Sequence, residues 1–144
     1  MASYNKINDF VEKLAEKSMD LENDTLTVAL SNTAPGDETS NPTADGNGVL
    51  ANVTEISYTN CSSRVLTVSS SAQTSGTYKL VIDDLTLTAS GGSVGPFQYI
   101  YIYDDTATSD ELIAYYDYGS ELTLSDGESI KLDFDGTDGL LQIA

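Results

Sequence analysis

The stretch that most limits the possible folds runs from Gly91 to Gly119, GGSVGPFQYIYIYDDTATSDELIAYYDYG, and it reads as two strands joined by a polar loop. Side chains alternate along a strand, so Phe97, Tyr99, Tyr101 and Tyr103 point to one face while Gln98, Ile100 and Ile102 point to the other. The returning strand repeats the pattern, with Leu112, Ala114, Tyr116 and Tyr118 on one side and Ile113 and Tyr115 on the other. A half-solvated strand carries polar residues on its wet face. This hairpin carries few, so both faces are expected to meet something apolar. Each buried Tyr removes about 150–250 Å² from water. At roughly 25 cal/mol per Å², two or three partly buried rings outweigh an exposed ion pair worth about 0–1 kcal/mol. The expectation is that another protomer or a lattice partner completes part of the tyrosine face. The alternative is that the N-terminal helix and another sheet of the same chain cover it.

Ahead of the hairpin, residues 5–17 read as an amphipathic helix. Ile7, Phe10, Val11 and Leu14 fall at i, i+3, i+4 and i+7, with Asn5 as N-cap and Asp9 and Lys13 as an acid-first i,i+4 pair. A helix this short must dock on something, either its own domain or a partner. Leu26, Val28 and Leu30 alternate over 25–30 as a half-buried strand. The 18 residues of 31–48, SNTAPGDETSNPTADGNG, are turn formers with hardly an apolar side chain. A connection that long is mobile or functional, and a loop ordered by a neighbour is expected. Periodicity over 49–57 fits strand or short helix equally. Alternation resumes through Leu66 and Val68, and AQTSG (72–76) reads as a hairpin turn.

TYKLVIDDLTLTA, 77–89, reads as one long strand. Its buried parity changes at Asp83-Asp84, as a β-bulge would produce. Shorter strands follow at 121–124, 128–134 and 140–143, separated by turns at Asp126-Gly127 and 135–139. Seven to nine short strands at 8–12-residue spacing predict a mainly-β fold, a single β-sandwich of jelly-roll type with a short N-terminal α-helix. The expected division is a helical segment at 1–20 and the β domain at 21–144.

The chain sets 6 basic residues against 23 acidic ones, a net charge of −17. Nucleic-acid binding through phosphates needs clustered Lys and Arg, and an anionic membrane surface would repel this protein, so neither is an expected partner. The charge is uneven. Residues 1–20 hold three lysines against four acids, net −1, and the remainder holds three basic residues against 19 acids, net −16. The N-terminal segment is therefore the part able to approach an acidic surface. No apolar run resembles a signal peptide or a membrane span, so synthesis in a reducing cytoplasm is expected.

The chain has no histidine, which removes Ser-His and Cys-His nucleophilic pairs and histidine-containing zinc sites. Cys61 is the single cysteine, and Arg64 three residues on is placed to lower its pKa slightly, but no base accompanies it. The pairs Asp83-Asp84, Asp104-Asp105 and Asp110-Glu111 put neighbouring carboxylates on opposite sides of the chain, so none is by itself a glycosidase dyad. DFDGTDG, 133–139, offers Asp133, Asp135 and Asp138 without the EF-hand order. No catalytic residue, metal site or cofactor is expected, and the chain is read as a non-enzyme.

Three segments carry a likeness to a known family: TLTVALSNTAP, then QTSGTYKLVIDDLTLTASGGSVGPFQYIYIYDD, then YYDYGSELTLSDGESIKLDFD. From about Thr25 onward the chain resembles tailed-bacteriophage capsid decoration (cement) proteins. The resemblance implies a virion structural protein on the outer surface of the capsid, bridging and stabilising major capsid subunits, itself a homo-oligomer, a trimer first and a dimer second. The interface residues expected on this reading are Ile7, Phe10, Val11, Leu14, Phe97, Tyr99, Tyr101, Tyr103, Tyr116 and Tyr118. A phage tail or fibre component is the alternative within the virion, and a carbohydrate-binding β-sandwich module the alternative outside it. The module reading is disfavoured by the absence of tryptophan.

Overall fold

A computed structural model describes residues 2–37 and 39–144; Glu38, inside the polar 31–48 segment, lies outside them. In chain order the described elements are β1 (Ser3–Lys6), α1 (Phe10–Ala15), β2 (Leu26–Ser31), β3 (Val68–Thr74), β4 (Thr77–Ile82), β5 (Leu85–Thr88), β6 (Val94–Asp104), β7 (Leu112–Leu124), β8 (Ser129–Leu132) and β9 (Leu141–Ile143). They form antiparallel sheets ordered β1-β7-β6-β2, β3-β4-β9 and β5-β8. The protein is thus mainly β with a short helix near its N-terminus.

The hairpin predicted from the tyrosine ribbon is the backbone of the structure. β6 and β7 are the longest strands and occupy the middle of the four-stranded sheet. Their register slips at Val94/Phe97, Phe97/Tyr99 and Ile102/Tyr103, so strict alternation breaks down along β6. Gly95 sits in the first irregularity at φ 124°, and a Cβ there would lie 2.7 Å from the Leu122 carbonyl oxygen. Only glycine allows that approach of the two strands.

Both faces of the ribbon do meet apolar side chains, and its own chain supplies much of the cover. Phe97, Ile100, Tyr101, Ile102 and Tyr103 are buried in one core with Leu26, Val28 and Leu30 of β2, Leu80 and Ile82 of β4, Leu87 of β5 and Leu132 of β8. β2 is buried along its whole length, where alternation predicted a half-exposed strand. Its outer edge explains this. The chain between Glu55 and Leu66 lies along it, with Val28 N–H donating to the Arg64 carbonyl at 3.0 Å and Leu66 N–H to that of Leu26 at 2.9 Å. Such a covered edge offers no template for a further strand.

The N-terminal region departs from the predicted helix over 5–17. Residues 3–6 pair with Asp117–Ala114 of β7, and Ile7 N–H extends that ladder to the Ile113 carbonyl at 3.1 Å. Asn5 is therefore a strand residue, not an N-cap, and the helix begins at Phe10. Leu14 spacing from Ile7 made the helical stripe look continuous, but Tyr4, Asn5, Lys6 and Ile7 fit extended chain equally well, and a free edge of β7 was there to pair with. The helix stops in a Schellman motif. Ser18 N–H donates to the Lys13 carbonyl and Lys17 N–H to that of Leu14, with Lys17 itself left-handed at φ 64°.

A second departure lies at Asp83-Asp84. The buried parity does change there, but through a change of sheet, not a bulge: β4 pairs with β3 and β9, whereas β5 pairs with β8. Asp84 Oδ1 accepts the Phe134 N–H at 2.9 Å and its carboxylate meets Lys131 Nζ at 2.6 Å, tying the break to the end of β8. The ambiguous 49–57 segment contains a single 3₁₀ turn at Leu50–Asn52. The turns expected at 126–127 and 135–139 are present, the latter with Asp135 Oδ1 accepting Thr137 N–H and Asp138 N–H.

Candidate interaction surface

β1 is one edge strand of the four-stranded sheet, and β9 is one edge strand of the β3-β4-β9 sheet. A groove of about 580 Å³ runs beside both and beside α1. Tyr4 of β1, Val11 of α1 and Ile143 of β9 line it, at 41%, 52% and 42% exposure. Single exposed apolar residues are ordinary, but three from three separate elements converging on one concavity mark a surface with something to bury. Phe10, Leu14 and Lys6 also line it.

An aromatic series leads away from this groove. Tyr4 stands opposite Tyr116 across the β1–β7 pair, with ring centroids 5.6 Å apart and planes at 69°. Tyr116 in turn meets Phe134 edge-on at 6.2 Å. Beyond them, Tyr118, 43% exposed, borders a smaller cavity of about 240 Å³ with Ile130, Leu132 and Phe134. Burial raises the pKa of the Tyr4 hydroxyl, and burial followed by the neighbouring Tyr4 pushes that of Tyr116 up to about 12. Both rings therefore stay neutral at ordinary pH, suited to an interface that is apolar with polar tips.

The ten expected interface residues fall into two groups. Ile7, Phe10, Phe97, Tyr101 and Tyr103 are core residues of this chain, so they hold the surface up but are not available on it. Val11 and Tyr118 are exposed, and Leu14, Tyr99 and Tyr116 are half-buried. The available surface is therefore the groove and the Tyr116–Tyr118 end of β7, not the whole ribbon. Tyr4 and Ile143 belong to it without a local sequence signal, because each lies in a short segment whose exposure depends on which sheet edge it occupies.

Elsewhere the acidic side chains serve local structure. Asp138 pairs with Lys79 at 3.4 Å, and Asp135 is spent on its own turn, so the DFDGTDG segment does not gather its carboxylates. Among the described residues there is no cluster of three or more potential metal-ligating side chains. Burial raises the pKa of the Cys61 thiol, and Arg64 only opposes this, which reverses the lowering expected from sequence. Arg64 instead lies with its guanidinium carbon 3.6 Å from the centre of the Tyr58 ring and donates to the Val28 carbonyl.

Comparison with protein-family models, with curated proteins and with solved structures finds no match to this chain.

Proposed function

We propose that this chain is a non-enzymatic virion structural protein that decorates a phage capsid from outside, its β domain a jelly-roll-like sandwich. The groove between β1, α1 and β9 is the observation that supports attachment to a larger assembly. It presents apolar side chains from three elements on a body whose charge otherwise discourages contact. Half of the basic residues, Lys6, Lys13 and Lys17, sit on the segment that builds it. A capsid exterior suits an acidic protein, since such a protein does not compete for packaged DNA. The identity of the assembly rests on the family resemblance of the segments from Thr25 onward.

Co-sedimentation with purified empty capsids tests the reading. The intact protein should saturate shells at hundreds of copies per particle, and Val11→Glu and Ile143→Glu should abolish binding. Val65, 49% exposed but away from the groove, gives the control: Val65→Glu should bind as wild type. Both groove substitutions should leave stability within about 0.5 kcal/mol, as exposed sites do. Saturation at a dozen copies or fewer would place the protein on the tail. Failure of the intact chain to bind any shell would refute the proposal.

A further inference from the structure

We infer that Asp24 and Asp104 form a proton-binding site, in which one proton on the buried Asp104 carboxyl bridges to Asp24 and clasps the turn before β2 to the β6–β7 loop. The inference is independent of any capsid. Asp104 closes β6 with none of its surface exposed. Its Oδ1 is fully engaged, accepting Thr106 N–H and Ala107 N–H at 3.0 Å each. Its Oδ2 is buried and receives a hydrogen bond from no donor atom among the described residues. The Asp24 side chain lies within hydrogen-bonding contact of the Asp104 carboxyl. The Asp24 carboxyl is held in place by the Asp20 N–H, 2.7 Å from Asp24 Oδ2. Asp104 Oδ2 is shut off from water while Asp24 is half-buried beside it, so the buried acceptor has no solvent to turn to and needs a cation between the two carboxyls. Among the described residues no third metal-ligating side chain converges there, so the cation is a proton: it resides on Asp104 Oδ2 and is donated to Asp24.

The surroundings make this junction matter. Thr25 N–H donates to Thr106 Oγ1 at 2.9 Å, and Asp105 N–H to the Thr25 carbonyl at 2.8 Å, so turn and loop are already laced on either side of the pair. The same turn and loop wall a cavity of about 690 Å³ through Asp20, Asp24, Thr106 and Ala107, with Lys17 and Tyr78 across it. Asp20 and Glu22 of the turn and Lys17 at the end of α1 are the other charged groups on the cavity wall, and Asp105, Asp110 and Glu111 are those of the loop and strand ends beside Asp104. Burial first and Asp24 second push the Asp104 pKa up to about 7. Loss of the proton leaves a buried charge on Asp104 beside Asp24 and loosens the clasp.

The test is thermal and denaturant unfolding of the whole chain against pH. An acid whose folded pKa is raised contributes stability that is complete below its unfolded value of 3.8 and is lost as pH rises to about 7. The folding constant of the wild type should therefore fall by about tenfold per pH unit between pH 5 and 7, then level. The chain has no histidine to add a slope there. Asp104→Asn keeps the Oδ1 acceptor and supplies an N–H to Asp24, so it should be flat over that range and more stable than wild type at pH 8. Asp24→Asn leaves Asp104 buried and removes the second cause, so its slope should be smaller than that of wild type and end at lower pH. Infrared difference spectra at pH 6 should show an un-ionised carboxyl band in wild type that is missing in Asp104→Asn, a readout that survives even if one variant folds poorly. A wild-type slope retained in both variants, or no such band, overturns the inference. Stabilisation of the wild type by calcium that Asp104→Asn abolishes also overturns it, since a metal would then join the pair.

Discussion

The Asp9 carboxylate, only 8% exposed at the start of α1, accepts the Gly48 backbone N–H at 2.8 Å. It accepts the Gly46 N–H as well, at 2.7 Å. The end of the long polar segment is thereby fastened to the N-terminal region of its own chain, where a neighbour had been expected to order it. Gly48 is there for space: a Cβ would stand 2.8 Å from Asp9 Cβ and 3.0 Å from Ile7 Cγ2. Asp9→Ala should cost about 1–3 kcal/mol, because the buried Gly48 N–H and the part-buried Gly46 N–H lose a charged acceptor. Gly48→Ala should cost about 1–3 kcal/mol through overpacking. Urea unfolding of each variant measures both, and wild-type midpoints would mean the loop is not anchored in solution.

The left-handed Lys17 is a position where stability is there to be gained. The Schellman end of α1 places a residue with a Cβ at φ 64°. Lys17→Gly removes that strain, and should raise stability by up to about 1 kcal/mol. A calorimetric melting temperature at or below wild type would count against the motif as described.

The outer edge of β2 depends on a ring and its hydroxyl. The Tyr58 hydroxyl accepts Leu30 N–H at 2.9 Å and donates to Glu55 Oε1 at 2.6 Å. Burial, then the Glu55 partner, push its pKa well above the usual tyrosine value. Tyr58→Phe keeps the stacking of Arg64 but leaves the Leu30 N–H without its acceptor, at a cost of about 1–3 kcal/mol. Hydrogen exchange should locate the effect, with faster exchange at Leu30 than at Tyr115, which is paired with β1 and β6 on either side. Uniform acceleration across the sheet would point to global loosening instead.

Acid should weaken the protein by a separate route. The Asp84 pKa is lowered by its hydrogen bond to Lys131 and then by that to Phe134 N–H. The Asp135 pKa is lowered by the Asp138 and Thr137 N–H groups, and that of Asp20 chiefly by the Asn23 side chain. Depressed carboxylates contribute stability that is present above the unfolded value of 3.8 and lost as pH falls through their folded values. Melting temperature should therefore decline below about pH 4. Asp84→Asn should shrink that acid limb without altering the slope between pH 5 and 7. If it altered only the upper slope, the assignment of the two limbs would be wrong.

The alternating ribbon of Phe97–Tyr103 and its partner around Leu112–Tyr118 were enough, from sequence, to place a central hairpin wanted by apolar neighbours on both sides. The Asp-Gly turns, the number of strands and the mainly-β class followed from local rules, because period and turn chemistry act over a few residues. Which neighbours cover the ribbon was not local. Strand pairing over long separations put β2, flanked by the 55–66 segment, beside β6, and so buried Tyr101 and Tyr103 within one chain. The same long-range pairing turned Asn5 and Lys6 from helix to strand and split 77–89 between two sheets. It also brought Tyr4, Val11 and Ile143 to one groove, and Asp24 to Asp104. A residue's partners across a sheet are set by which edges are free when the core closes, and only the folded chain contains that information.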